Sequence, residues 1–186
     1  MSGFSQYSTQ NQLLLNKLLN FYKKNNNLSK ILSIINGESK ISLRLIDWFT
    51  TNYAKKNFIV YQVVNNDKKK RFKVYVDYKL KLKAYSKRRF DPFCRWERIN
   101  IPFDDDSFIQ TTIGQLNFFK WALENKIIEF IRDNYEKIEA DMNKRNSTAR
   151  HKVPEKNKTR KKRQELSVSA TKSIKKEQVE IVVKFN

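Results

Sequence analysis

Between Ser42 and Phe103 the hydrophobic pattern changes period twice, and a chain that does this over a short span has to pack helix against sheet. Leu43, Leu45, Ile46, Trp48, Phe49 and Tyr53 form a wide apolar face behind Ser42. A serine there suits the first unpaired amides of a helix, so a helix over 43–55 is predicted. Phe58 to Val64 is rich in β-branched and aromatic residues and reads as a strand. Asn65-Asn66-Asp67 supplies a turn. From Arg71 to Tyr78 the residues alternate, with Phe72, Val74, Val76 and Tyr78 on one face and Lys73, Tyr75 and Asp77 on the other. The two runs form a predicted hairpin. The alternation continues through Leu80 and Leu82, so 79–87 can be read as helix or strand. A strand of that length would be about twice the usual 5–6 residues. The favoured reading is a short helix over 78–87, with Tyr78, Leu82 and Tyr85 inward and Lys79, Lys83 and Lys87 outward. Phe90-Asp91-Pro92-Phe93 is a turn, because Pro92 fixes φ and Asp91 can accept from nearby backbone amides. A third strand is expected over 96–101, ended by Pro102 and the acids Asp104, Asp105 and Asp106.

The flanks extend this pattern. Residues 1–11 are polar and expected to be disordered. Leu14, Leu15, Leu18, Leu19 and Tyr22 share a helical face, Asn25-Asn26-Asn27 interrupts it, and Leu28, Ile31, Leu32 and Ile35 resume it before Asn36-Gly37. Thr112 to Gln115 has the spacing of a capping box, opening a helix to Glu124. Ile127, Ile131, Tyr135 and Ile138 predict another helix to about Asp141. From residue 143 to 177 aromatics vanish and Lys, Arg, Ser, Thr and Asn dominate, a composition that buries too little surface to order itself. Residues 178–186, centred on Val179-Glu180-Ile181-Val182-Val183, are expected to form a terminal β-strand that returns to the sheet edge or joins another chain. The fold class is therefore α+β. A small antiparallel sheet (58–64, 71–78, 96–101 and 179–185) is packed with helices at 43–55, 113–124 and 127–141. The expected organisation is a single domain over 12–142 plus a basic disordered tail.

Charge narrows the function. The 186 residues carry a net charge of +20, and the excess is clustered. Residues 68–98 hold thirteen Lys and Arg against three acids, and residues 144–176 hold thirteen against two. Between them, residues 100–142 hold nine acids against four bases, an alternation that a uniform compositional bias does not produce. Two basic blocks of this kind imply a polyanionic partner, DNA or RNA held through its phosphate backbone. The candidate contacts are Lys79, Lys83, Lys87, Arg88, Arg89, Arg95 and Arg98 in the first block, with Lys158, Arg160, Lys161, Lys162 and Arg163 in the second. Arg88, Arg89 and Arg95, with Lys87 beside them, are the principal ones, since they crowd around one turn with few acids to pair with. Tyr85, Phe90, Phe93 and Trp96 can stack on bases or fill the core, and a small domain needs such residues inside.

Other chemistry lacks its residues. The chain has one cysteine, Cys94, and one histidine, His151, so neither an intramolecular disulfide nor a zinc site of the usual Cys/His kind is expected. His151 lies in the basic tail, away from Cys94, which reads as a small buried residue and not a nucleophile. The acids at 104–106 read as a solvated, helix-capping loop in preference to a magnesium site. The three glycines build no phosphate-cradling loop. No enzyme, cofactor or metal is expected, and no apolar run has the length of a transmembrane helix. No signal peptide is visible, so the chain is read as not secreted.

The string YKxxLKAYSKxxFDPFCR at 78–95, preceded by ISLRLIDWFTTNYAKKN at 41–57 and followed by TTIGQLNFFKWALEN at 111–125, resembles an uncharacterised protein family of large nucleocytoplasmic DNA viruses, the giant viruses. The resemblance implies a viral protein of the virion or the infected host cell, in the viral factory or nucleus, and it implies no activity. Joined to the charge pattern, it predicts a non-enzymatic, sequence-tolerant nucleic-acid-binding protein in genome packaging, genome organisation or viral gene expression. The basic run at 158–163 resembles a nuclear import signal and equally suits a DNA tether. The second reading is a virion structural or adaptor protein that contacts other virion proteins, with Trp48, Trp121 and the C-terminal strand as anchors.

Overall fold

The computed structural model of the chain describes residues 9–24, 26–65, 68–104, 107–150 and 176–178. Helix α1 (Gln10–Tyr22) opens with a reciprocal cap. The Thr9 hydroxyl accepts from the Gln12 amide, and the Gln12 side chain accepts from the Thr9 amide at 2.8 Å. The helix thus starts inside the segment expected to be disordered. Helix α2 (Asn27–Ile35) closes where Glu38 N–H donates to Ser33 C=O and Gly37 N–H donates to Ile34 C=O. Gly37 takes φ +76 there, the left-handed position this closure needs.

Helix α3 (Leu43–Trp48) has Ser42 as its N-cap, as predicted, with the hydroxyl accepting from Leu45 N–H at 3.2 Å. It runs on through a π-helical segment (Phe49–Tyr53) into α4 (Ala54–Lys56). Strands β1 (Val60–Asn65) and β2 (Lys68–Lys73) then pair antiparallel, with Tyr61 opposite Phe72. Helix α5 (Val74–Arg89) follows β2 directly.

The predicted strand over 71–78 therefore stops at Lys73. Val74 and Tyr78 satisfy the alternation and also lie one helical turn apart, and both are buried. Val76 and Leu80, which a strand would have put on the same face, are 52% and 60% exposed. The helix wins because it also carries Asp77 to the Trp121 indole, whose Nε1–H donates to it at 2.6 Å.

Strands β3 (Arg98–Asp104) and β4 (Ser107–Thr112) form a second antiparallel ladder, and β5 (Lys176–Gln178) pairs with the other edge of β4. The expected single sheet is thus two, of two and three strands. Pro102 does not end β3. It sits opposite Phe108 on an edge strand, next to a register shift between Pro102 and Asp104. The predicted terminal strand over 178–186 lies outside the described residues except for Gln178.

Helix α6 (Ile113–Glu124) is the spine. Nine of its twelve residues are buried, so it is enclosed on nearly every side. α1, α5, β4 and helix α7 (Ile127–Asp133) pack around it. Helix α8 (Tyr135–Arg150) continues beyond a break at Asn134, so the predicted single helix is two. α8 also passes the domain boundary expected at 142. It is fixed there by buried Ile138 and Met142 and by Asp141, which accepts from the Trp48 indole at 3.2 Å and from Lys56 at 2.6 Å. An aromatic cluster joins the layers. The Phe90 ring lies 5.3 Å from Phe118 and 5.4 Å from Trp121, and Phe72 lies 6.2 Å from Trp121.

Candidate nucleic-acid interface

The turn that carries the arginines is held by the start of α6. Thr112 caps α6 as predicted, its hydroxyl accepting from Gln115 N–H at 3.1 Å. The Gln115 side chain does not complete the capping box. Its amide donates instead to Pro92 C=O at 2.9 Å, and its oxygen accepts from the Thr111 hydroxyl at 3.1 Å. Asn117 Nδ2 donates to Arg89 C=O at 2.8 Å, and the Thr112 hydroxyl donates to Cys94 C=O at 3.3 Å. From the turn side, Asp91 N–H donates to Gly114 C=O at 3.2 Å, and the Cys94 thiol to Arg88 C=O at 3.3 Å. Asp91 also accepts from Phe93 N–H at 2.8 Å, the predicted backbone bond of that side chain.

Gly114 is the point of closest approach. A Cβ built on it would lie 2.8 Å from Arg88 O, 2.8 Å from Cys94 Sγ and 2.9 Å from Cys94 Cβ. Only a glycine lets α6 seat this deeply against the turn. The strings at 78–95 and 111–125 are thus two halves of one packed unit.

That unit presents cations outward. Lys79, Lys83, Lys87, Arg88, Arg95 and Arg98 are exposed, and Arg89 is half-buried. The expected continuous helical face through Lys79, Lys83 and Lys87 is broken, because Ser86 leaves helical geometry at φ 59 and ψ 169. Lys87, Arg88 and Arg89 therefore follow a kink and not the axis of α5. The Arg88 guanidinium lies over the Trp96 ring at 4.7 Å, Arg89 donates to Gln10 Oε1 at 3.1 Å, and Arg98 donates to Gln110 Oε1 at 2.7 Å. Lys158, Arg160, Lys161, Lys162 and Arg163 lie outside the described residues.

The aromatics divide. Phe90 is buried, and Tyr85 and Phe93 are half-buried against the core, holding the turn. Trp96 is 61% exposed, with a cation on its ring. Lys69, Lys70, Arg71 and Lys73 on β2 are exposed as well and run straight into α5. Their signal was the run at 68–71, which the charge count placed in the first basic block without naming these residues as contacts. Trp121 is buried in the core, and Trp48 is half-buried with its indole N–H donating to Asp141.

Two carboxyls interact at the turn, Asp91 within it and Asp47 on α3. Burial pushes Asp47 up to about 6, with a further push from Asp91 and an opposing pull from Lys87. Burial also raises Asp91, opposed by its Phe93 amide bond and by Lys87. Lys87 thus faces acids as well as solvent. Among the described residues no group of three or more His, Cys, Asp or Glu side chains is placed to hold a metal ion, and no helix is long and apolar enough to cross a membrane.

A curated relative, "Uncharacterized protein L507" of Acanthamoeba polyphaga mimivirus, is 48% identical over 117 residues, which covers 60% of this chain and 45% of that protein. The chain thus spans less than half the length of that relative. No solved structure matches the chain. The model of the Family of unknown function (DUF7197) matches residues 4–184. That match spans nearly the whole chain, and with a giant-virus protein among its relatives, the chain belongs to the Family of unknown function (DUF7197).

Proposed function

We propose that this chain is a non-enzymatic viral nucleic-acid-binding protein that grips the phosphate backbone of DNA or RNA without sequence preference, in genome packaging, genome organisation or gene expression. One observation carries the reading. A rigidly clamped turn holds Arg88, Arg89 and Arg95 beside the exposed Trp96, continuous in the chain with the exposed lysines of β2 and α5. Arginines posed on a fixed scaffold suit phosphate, whose oxygens accept the two parallel N–H bonds of a guanidinium. A tryptophan with a free face adds a platform for an unstacked base, which favours single strands over duplex.

Mobility shift of the full chain on single-stranded and duplex DNA tests this. Binding that weakens steeply with salt and tolerates competitor sequence is expected, with each neutralised phosphate adding a slope of roughly −0.9 for duplex. Absence of binding at low salt would reject the reading. The adaptor reading keeps one supporting observation, the exposure of Phe58 at 85%, with Val76 and Leu80 also exposed on α5. If nucleic acid does not bind, that surface becomes the place to look for a protein partner.

A further inference from the structure

A second cationic site lies on other elements. A cleft of about 350 Å³ opens between α2, the loop after it, α7 and the first residue of α8. That volume falls in the range of small-molecule sites, about 300–1,000 Å³, and is far below what a duplex needs. Lys30, Lys40 and Arg132 line it from three different elements, and the side chains of all three are exposed. Among the described residues none of the three is ion-paired to a carboxylate. Lys30 Nζ donates to Asn27 Oδ1 at a long 3.4 Å, and Lys40 Nζ rests over the Tyr135 ring at 4.8 Å.

The loop brings hydroxyls to the same cleft. The closure at Gly37 folds the chain back so that Ser39 N–H donates to Ser33 C=O at 2.8 Å, which puts Ser33 and Ser39 on one wall. Ser39 Oγ accepts from Ile41 N–H at 3.1 Å, which leaves its O–H to donate. The floor is apolar, made by buried Ile34, Ile41 and Ile128. Tyr135 contributes a ring only, since its hydroxyl donates to Glu139 at 2.7 Å.

Three cations and two hydroxyls above an apolar floor form a donor-rich anion site with room for an organic group. We infer that this cleft binds the phosphomonoester of a small molecule, with the dianionic phosphate among Lys30, Lys40 and Arg132 and its organic part on the isoleucine floor. A monoester suits the site better than a carboxylate, because it offers three terminal oxygens to donors that converge from several sides. The inference does not rest on the nucleic-acid reading.

The test is calorimetric titration of the full chain with inorganic phosphate, butyl phosphate (a monoester with no base to stack) and phosphatidic-acid vesicles, with single-stranded DNA titrated separately. The proteins compared are the parent chain, a Lys40→Ala/Arg132→Ala variant and an Arg88→Ala/Arg89→Ala variant. All four substituted side chains are exposed or half-buried, and melting curves verify folding. Saturable butyl phosphate binding is expected, tighter than inorganic phosphate, weakened at least tenfold by Lys40→Ala/Arg132→Ala and unaffected by Arg88→Ala/Arg89→Ala. Preference for the vesicles through the same two residues would support the site and assign its phosphate to a lipid headgroup. Failure of all three probes to saturate, or binding indifferent to Lys40→Ala/Arg132→Ala, would overturn it. So would an equal loss of DNA affinity in both variants, which would make the cleft part of the nucleic-acid surface.

Discussion

Gly114→Ala tests whether the arginine turn is truly seated on α6. The added methyl would meet a backbone oxygen at 2.8 Å and Cys94 at 2.8 and 2.9 Å, all closer than real Cβ atoms come. The obstacles are a carbonyl and a buried side chain, so nothing flexible swings aside. Overpacking of this kind costs about 1–3 kcal/mol. Against it stands a gain of up to about 1 kcal/mol, since alanine is the better helix former. The net loss lies between about 0 and 3 kcal/mol and centres near 1–2 kcal/mol, where at about 2–4 °C per kcal/mol for a chain of this size the melting temperature falls by roughly 2–8 °C. Cys94→Ala removes the sulfur but leaves the carbonyl and Cβ, so it should rescue only in part. In a double-mutant cycle the two positions should couple by about 0.5–1 kcal/mol. Thermal denaturation followed by circular dichroism reads all four proteins. An unchanged or raised melting temperature in Gly114→Ala, or strict additivity with Cys94→Ala, would refute the seating.

Three further outcomes are expected. Folding raises the Asp47 pKa to about 6, above its ordinary unfolded range, so the half-buried carboxyl is tolerated at low pH and its ionisation opposes folding as pH rises from about 4 through about 6. Asp47→Asn should therefore stabilise the protein at neutral pH, by at most roughly 3 kcal/mol, and make no difference near about pH 4; urea melts across this range that show a constant or reversed difference would sink the idea. Ser86 sits at φ 59 and ψ 169, a region almost confined to glycine, so Ser86→Gly should be tolerated while Ser86→Val costs about 1–3 kcal/mol, read by chemical denaturation. Removal of residues 151–186, which takes β5 from the edge of β4 but leaves α8 whole, should keep the melting transition cooperative and weaken nucleic-acid affinity through reduced effective concentration, whereas a cut at 143 removes part of α8; equal affinity with and without 151–186 would limit binding to the first basic block.

What the sequence displayed was local. Ser42 and Thr112 cap their helices because a hydroxyl three residues before an amide is a short-range arrangement that needs no tertiary partner. The Asp91 turn bond is of the same kind. What it concealed was long-range. Gln115 matches a capping box, yet tertiary packing turns its amide to Pro92, which lies far back in the chain. Val74 and Tyr78 fit a strand and a helix equally well, and only the exposed Val76 and Leu80 and the Asp77–Trp121 bond separate the two. Strand β4 was missed because Pro102 and the acids that follow it suggested an end where the chain makes an edge strand and a bulge. The exposed cations were legible as a cluster, but their pose was not: the kink at Ser86 and the stacking of Arg88 on Trp96 depend on how α6 clamps the turn.

The most direct test of the central claim is the salt dependence of single-stranded DNA affinity for the parent chain and for Arg88→Ala/Arg89→Ala. Arg89 anchors the clamp through its backbone carbonyl and the two guanidinium groups reach solvent-side partners, so folding should survive the change. The account expects steep salt dependence in the parent and, in the variant, weaker binding with a slope shallower by about 0.7 for each phosphate that is no longer neutralised, at nearly unchanged melting temperature. An unchanged slope and affinity in a folded variant would contradict it.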